Sequence, residues 1–414
     1  MGPLRRRARR LVKLALGLAG LAGVGAVAVL AFPANARRAE GAGRVFVPTR
    51  DDEVLERLPA RTEGRRTREL RQLRAALAER PRDAALAVRV ARLAIELSRA
   101  RADPRYQGYA EAALAPLFGG PVEPPTAALT LRATLRQSQH DFPGALADLD
   151  RVVARAPDDA QAWLTRAVVL TVLARYPEAR AACARLERLA PPIVVAVCRE
   201  TLASLTGQAA GAYARLSRAA EDARLATPEE GAWVASTLGE LAARAGDVHA
   251  GRSHLERALE LEPGDPYVLA ALADLELDAA RPAEVVRRLS GKEDNDLLLL
   301  RLAIAEAIEH APGAEAHAAL LGERFRASRL RGDVVHRREE ARYLVALGDP
   351  PERARALELA QANWEVQREV PDARVLMEAA LAAKAPAAAR PALTWLVASG
   401  CEDPALQRLR RELE

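Results

Sequence analysis

Ala133, Phe142, Ala145, Leu149 and Pro157 return 34 residues later as Ala167, Tyr176, Ala179, Cys183 and Pro191. This self-match constrains the chain more than any other feature, because a repeat of that length holds two helices of about four turns and two short turns. The matched positions have steric roles. Alanine lets two helix axes come close, an aromatic ring fills the wedge beside the crossing, and proline forbids continuation of the second helix. Composition points the same way. Hydrophobic residues reach 50% while aromatics are only 4%, and a core of Ala and Leu suits close helix packing better than a sheet. The chain reads as all-α.

The segment AWLTRAVVLTVLARYPEARAACARLERLAP, beginning at Ala162, resembles the tetratricopeptide repeat. Trp163 opens the first helix, and Ala167 is the small residue where the helices touch. Tyr176 sits at the turn, Ala179 is the small residue of the second helix, and Pro191 follows its end. The preceding unit matches through Ala133, Phe142, Ala145 and Pro157, with Leu129 where the Trp would stand. The resemblance implies a right-handed α-solenoid of antiparallel helix hairpins. Its clearest repeats are 126–159, 160–192, 193–226 and 232–265, with an insertion around Thr227-Pro228 where loops between units tolerate one. Periodicity extends the array over 68–414, through hairpins at 84–118, 266–290, 295–328, 335–368 and 372–399, to a capping helix at 402–413.

The formal net charge of +5 is unevenly placed. Residues 1–36 carry Arg5, Arg6, Arg7, Arg9, Arg10 and Lys13 and no acid, which leaves the rest of the chain at −1. The basic character belongs to the leader and argues for membrane targeting, with no nucleic-acid partner. Residues 14–32 are uncharged, Pro33 follows, and Ala34-Asn35-Ala36 fits the small-x-small rule of signal peptidase. Two readings stand: a signal peptide cleaved after Ala36, or an uncleaved inner-membrane anchor formed by residues 11–32, the chain's only membrane contact. Either makes the protein periplasmic or otherwise exported. Residues 37–67 read as a flexible linker with a short helix at Asp52–Leu58.

Cys183 falls on the second helix of one unit and Cys198 on the first helix of the next, equidistant from the turn Ala190-Pro191-Pro192. Both sulfurs then stand at the same height on antiparallel neighbours, which in an oxidising compartment predicts a Cys183–Cys198 disulfide. The alternative is that Cys183 is a small core hydrophobe. Cys401 is left unpaired. The histidines, His140, His249, His254, His310, His317 and His336, lack metal-ligand spacing and read as surface residues. No nucleophile elbow, P-loop or dinucleotide fingerprint marks the exported part, so neither a metal nor a cofactor is expected.

Absence of such signatures favours a non-catalytic protein-protein interaction scaffold of the bacterial cell envelope. The alternative is an enzyme with an unrecognised active site in the 295–400 region. The family's pattern implies a concave face lined by first helices, suited to an extended peptide or a partner helix. Here it would present Gln137, Gln161, Trp233, Glu240, Arg244, Tyr267, Asp274 and Asp278. Packing within their own hairpins is the competing role for Trp233 and Tyr267. The Lys/Asn set with which chaperone-linked members hold a C-terminal carboxylate is missing: Thr130, Thr134, Leu164 and Val168 stand there.

Overall fold

A computed structural model describes residues 64–414 except 102, 104, 224 and 226. The leader, its cleavage site and the predicted helix at Asp52–Leu58 lie outside the described residues. The described residues contain helices and no strand. In chain order the helices are α1 (Arg65–Glu79), α2 (Ala84–Arg101), α3 (Arg105–Leu114), α4 (Thr126–Ser138), α5 (Phe142–Arg155), α6 (Ala160–Val172), α7 (Tyr176–Arg185), α8 (Pro192–Ser204), α9 (Ala209–Asp222) and α10 (Pro228–Arg244). They continue as α11 (Val248–Leu261), α12 (Pro266–Asp278), α13 (Pro282–Leu289), α14 (Asp296–Glu309), α15 (Ala314–Leu330), α16 (Arg337–Leu347), α17 (Arg353–Trp364), α18 (Val370–Ala382), α19 (Arg390–Ser399) and α20 (Pro404–Leu413). Among these, none is long and apolar enough to cross a membrane.

Hairpin formation follows from the small residues. Ala133 and Ala145 are fully buried between α4 and α5, as are Ala167 and Ala179 between α6 and α7. Phe142 and Tyr176 fill the adjoining wedges. The hairpin α10–α11 uses glycine at both equivalent positions. A Cβ on Gly239 would stand 2.7 Å from Leu255 and 3.1 Å from the Gly251 carbonyl, so the two backbones pass nearly in contact.

Seven helices, α4, α6, α8, α10, α12, α14 and α18, end in the same way. His140, Ala174, Gly207, Gly246, Ala280, His310 and Lys384 take the left-handed conformation. The next amide turns back to the helix: Asp141 N–H donates to the Arg136 carbonyl at 2.8 Å, Arg175 to Leu170 at 2.8 Å and Asp247 to Ala242 at 2.9 Å. This satisfies carbonyls that a helix end leaves open. Asp141 and Asp247 then cap the following helices by accepting from Gly144 and Ala250, each at 2.9 Å.

The array does not stay open. The backbone N–H of Arg368 donates to the Val172 carbonyl at 2.8 Å. Trp395 Nε1 donates to the Tyr176 hydroxyl at 3.1 Å, and the Ala209 N–H to Glu402 at 2.7 Å. Gly207 and Gly400 meet backbone to backbone, where a Cβ on Gly207 would stand 3.4 Å from the Gly400 carbonyl. One hydrophobic core therefore joins α4–α10 to α16–α20. The helix expected only to cap the last unit, α20, instead helps close a ring.

Cys183 and Cys198 are joined as a disulfide, with Cα atoms 5.8 Å apart. Cys401 is buried and free. The surface reading of the histidines is corrected at three positions. His140 is largely enclosed, and burial followed by the Arg338 charge pushes it down to about 4. His254 meets the Tyr213 hydroxyl at 3.0 Å, and His317 meets Glu306 at 2.6 Å. Tyr213 comes from the neighbouring hairpin, whereas Glu306 lies in the same hairpin as His317.

Two stability tests follow. Ala174 holds φ at 56°, a conformation that costs an alanine about 1 kcal/mol. Ala174→Gly should therefore raise the unfolding free energy, by about 0.5 kcal/mol after the unfolded-state entropy of glycine is counted, in urea titrations. The disulfide spans a sequence separation of 15. Replacing both cysteines by alanine should lower stability by about 3 kcal/mol. Thiol labelling of the denatured, unreduced chain should find one reactive cysteine; three would remove the bridge.

Candidate functional site

Ring closure encloses a cavity of about 360 Å³. First helices line most of it: α6, α8, α10, α12 and α14 in succession, with α16, α18 and α20 completing the wall. The local sequence explains the lining. Trp233, Thr237, Glu240 and Arg244 are spaced by four, three and four residues, which places them on one stripe of α10. Tyr267, Ala271, Asp274 and Asp278 form the corresponding stripe of α12.

Charges in this wall are mostly neutralised within it. Asp274 receives Arg301 at 2.7 Å and Arg342 at 2.7 Å. Burial opposes its charge, but the two guanidinium groups outweigh it and hold its carboxyl well below the usual range. Asp278 is gripped by both terminal nitrogens of Arg374, at 2.7 and 2.8 Å. Arg338 bonds Glu339 at 2.9 Å and Asp372 at 3.2 Å. Asp372 also accepts from Asn363, Gln367 and the Glu369 N–H, each at 2.8 Å.

Glu240 and Glu369 are less completely neutralised. Glu240 accepts a hydrogen bond from the Tyr267 hydroxyl. Its carboxyl is raised by burial, partly offset by that bond and by Arg244. Glu369 has its nearest cation, Arg338, at 3.9 Å. Burial first, then the charges of Asp372 and Glu240, push it up to about 8. Both side chains are surrounded by protein yet keep accessible surface, because that surface faces the cavity. Two donors in the same wall also lack an acceptor, Trp233 Nε1 and Arg244 Nε. Arg244 places Nη1 on the Ser204 hydroxyl at 2.5 Å.

The tetratricopeptide repeat family model matches residues 130–192, which are α4 to α7 and the start of α8. Over those residues the chain is similar to the tetratricopeptide repeat. No curated protein matches it. Similar solved structures include the following three. PilW, a widely conserved type IV pilus biogenesis factor, shares 19% identity at a TM-score of 0.39, over 48% of this chain and 93% of that one. Yeast Tom70 shares 11% at a TM-score of 0.40, over 84% of each chain. The P58(IPK) TPR domain shares 15% at a TM-score of 0.21, over 78% of this chain and 97% of that one. Arrays of this repeat typically serve as protein-interaction scaffolds, their stacked hairpins presenting an extended inner face.

Of the residues expected on that face, Trp233, Glu240, Arg244, Tyr267, Asp274 and Asp278 line the cavity, together with Leu164 and Val168. Gln137 and Gln161 do not line it and are buried in the array. Thr130 and Thr134 are buried too, each bonded to the carbonyl four residues back on its own helix. Both proposed roles of Trp233 coexist: it is 4% exposed within the main core, yet it contributes to the cavity wall. Sequence reasoning missed the opposite wall, Arg338, Arg342, Arg368, Glu369 and Arg374. Periodicity places these on or beside hairpins but does not say which distant helices they face. Among the described residues no group of His, Cys, Asp and Glu could hold a metal ion.

Glu369 gives a pH test. Its folded pKa lies above that of an unfolded glutamate, so folding favours its protonated form. That contribution is complete below about pH 4.5 and is lost as pH rises toward 8. Glu369→Gln should melt close to wild type at pH 5 and above it at pH 8.5. A difference in melting temperature independent of pH would refute the assignment.

Proposed function

We propose that this protein is a non-catalytic scaffold of the bacterial cell envelope that holds an extended peptide segment of a partner protein on the inner face of its tetratricopeptide array. The observation that supports this reading is the cavity of about 360 Å³ walled by successive first helices. That volume lies in the range of ligand-binding pockets. The stripe from Trp233 to Arg244 runs about 16 Å along α10, the length of about five residues of extended chain. A partner helix, about 10–12 Å across with its side chains, would require α18 and α20 to withdraw.

Export accounts for the rest. The uncharged stretch 14–32 behind a basic cluster supports delivery across the inner membrane, with the array in the periplasm. An oxidising compartment suits the Cys183–Cys198 bridge.

Site-directed photo-crosslinking in the native envelope tests the reading. A crosslinking residue at Thr171, which is half-buried in the cavity wall, should trap a partner protein. The same residue at exposed Arg257 should not. Adducts from Arg257 alone would place the binding face elsewhere.

A further inference from the structure

The chemistry of the cavity also selects its ligand. Most of its charges cancel in pairs: Asp274 with Arg301 and Arg342, Asp278 with Arg374, and Glu339 with Arg338. Outside these pairs, Asp403 caps α20, Arg244 and exposed Arg368 pair with no carboxylate, and two half-buried carboxylates remain, Glu240 on α10 and Glu369 before α18. They come from opposite walls, and each acts electrostatically on the Tyr267 hydroxyl. Tyr267 donates to Glu240 and so fixes that carboxylate within the wall. Placing two like charges in one enclosed space costs energy unless a cation joins them or one takes up a proton. Arg338 stands 3.9 Å from Glu369, but its short bonds go to Glu339 and Asp372. Arg244 lies near both carboxylates but makes no ion pair, and it bonds Ser204 instead.

We infer that the peptide segment held in the cavity carries a basic side chain, lysine or arginine, seated between Glu240 and Glu369. The inference rests on the peptide-binding reading above and adds the charge of the ligand. A charge-assisted hydrogen bond to each carboxylate joins the two walls of the ring through the ligand. Anionic segments are disfavoured, since they would stand against Glu240 and would leave the cost of ionising Glu369 unrelieved.

Selection of a randomised phage-displayed heptapeptide library on the purified full-length protein tests this. Wild type should enrich peptides with Lys or Arg at one fixed position. A selected peptide should bind at least tenfold more weakly to the Glu240→Gln, Glu369→Gln double variant, whose folding is checked by its melting transition. Replacing the basic residue of that peptide by norleucine should weaken binding to wild type by a similar factor, a readout that does not depend on how the variant folds. Enriched peptides without a basic residue, or with equal affinity for both proteins, would overturn the cation site and leave peptide binding standing. Failure to enrich any peptide would overturn both.

Discussion

The close approach of two helix backbones within a hairpin is the constraint on which the structure depends. Ala133 against Ala145, Ala167 against Ala179 and Gly239 against Gly251 leave no room for a larger side chain at the crossings. Side chains larger on one edge of the crossing than on the other turn each hairpin into a wedge. Tyr176 and Phe142 are those larger side chains. Stacked wedges accumulate rotation, which is how a solenoid acquires curvature. Here the accumulation brings α18–α20 back to α6–α9, where Trp395, Gly400 and Glu402 meet Tyr176, Gly207 and Ala209.

Closure changes the chemistry of the inner face. On an open array, Glu240, Asp274 and Asp278 would be solvated, and ion pairs among solvated side chains contribute little. Inside the ring each charge loses water and must find a partner or lose its charge. Arg301, Arg342 and Arg374 meet the first need at Asp274 and Asp278. Glu369 meets the second by holding a proton to unusually high pH. The polarity of the cavity is therefore a property of the assembled ring rather than of any single repeat.

That distinction sets what could be read from the sequence. Local steric rules are written locally: the Ala, aromatic and Pro positions announce a hairpin, and spacing by three and four residues puts Trp233, Glu240 and Arg244 on one stripe. Gly239 and Gly251 carry the same message in a form that a search for alanine and aromatic matches overlooks. The second wall had no local signal. Arg368 and Glu369 sit at the junction of α17 and α18, and their facing α6 and α10 depends on the summed geometry of all the hairpins between them. Burial of Gln137 and Gln161 was missed for the same reason, since the repeat pattern treats every first helix as lining an open groove.

The covalent bridge lies beside the point of closure. Cys183 and Cys198 tie α7 to α8, the two helices bounded by Tyr176 and by the loop containing Gly207. Tyr176 receives Trp395, and Gly207 receives Gly400. A ring assembled from stacked units accumulates small errors in each stacking angle, and its last contact is the one most sensitive to them. A bridge across the α7–α8 junction reduces the conformational freedom of the unfolded chain and also holds the two docking points at a fixed separation. Cys198 itself lines the cavity, so the same residue belongs to the repeat core, the covalent bridge and the cavity wall.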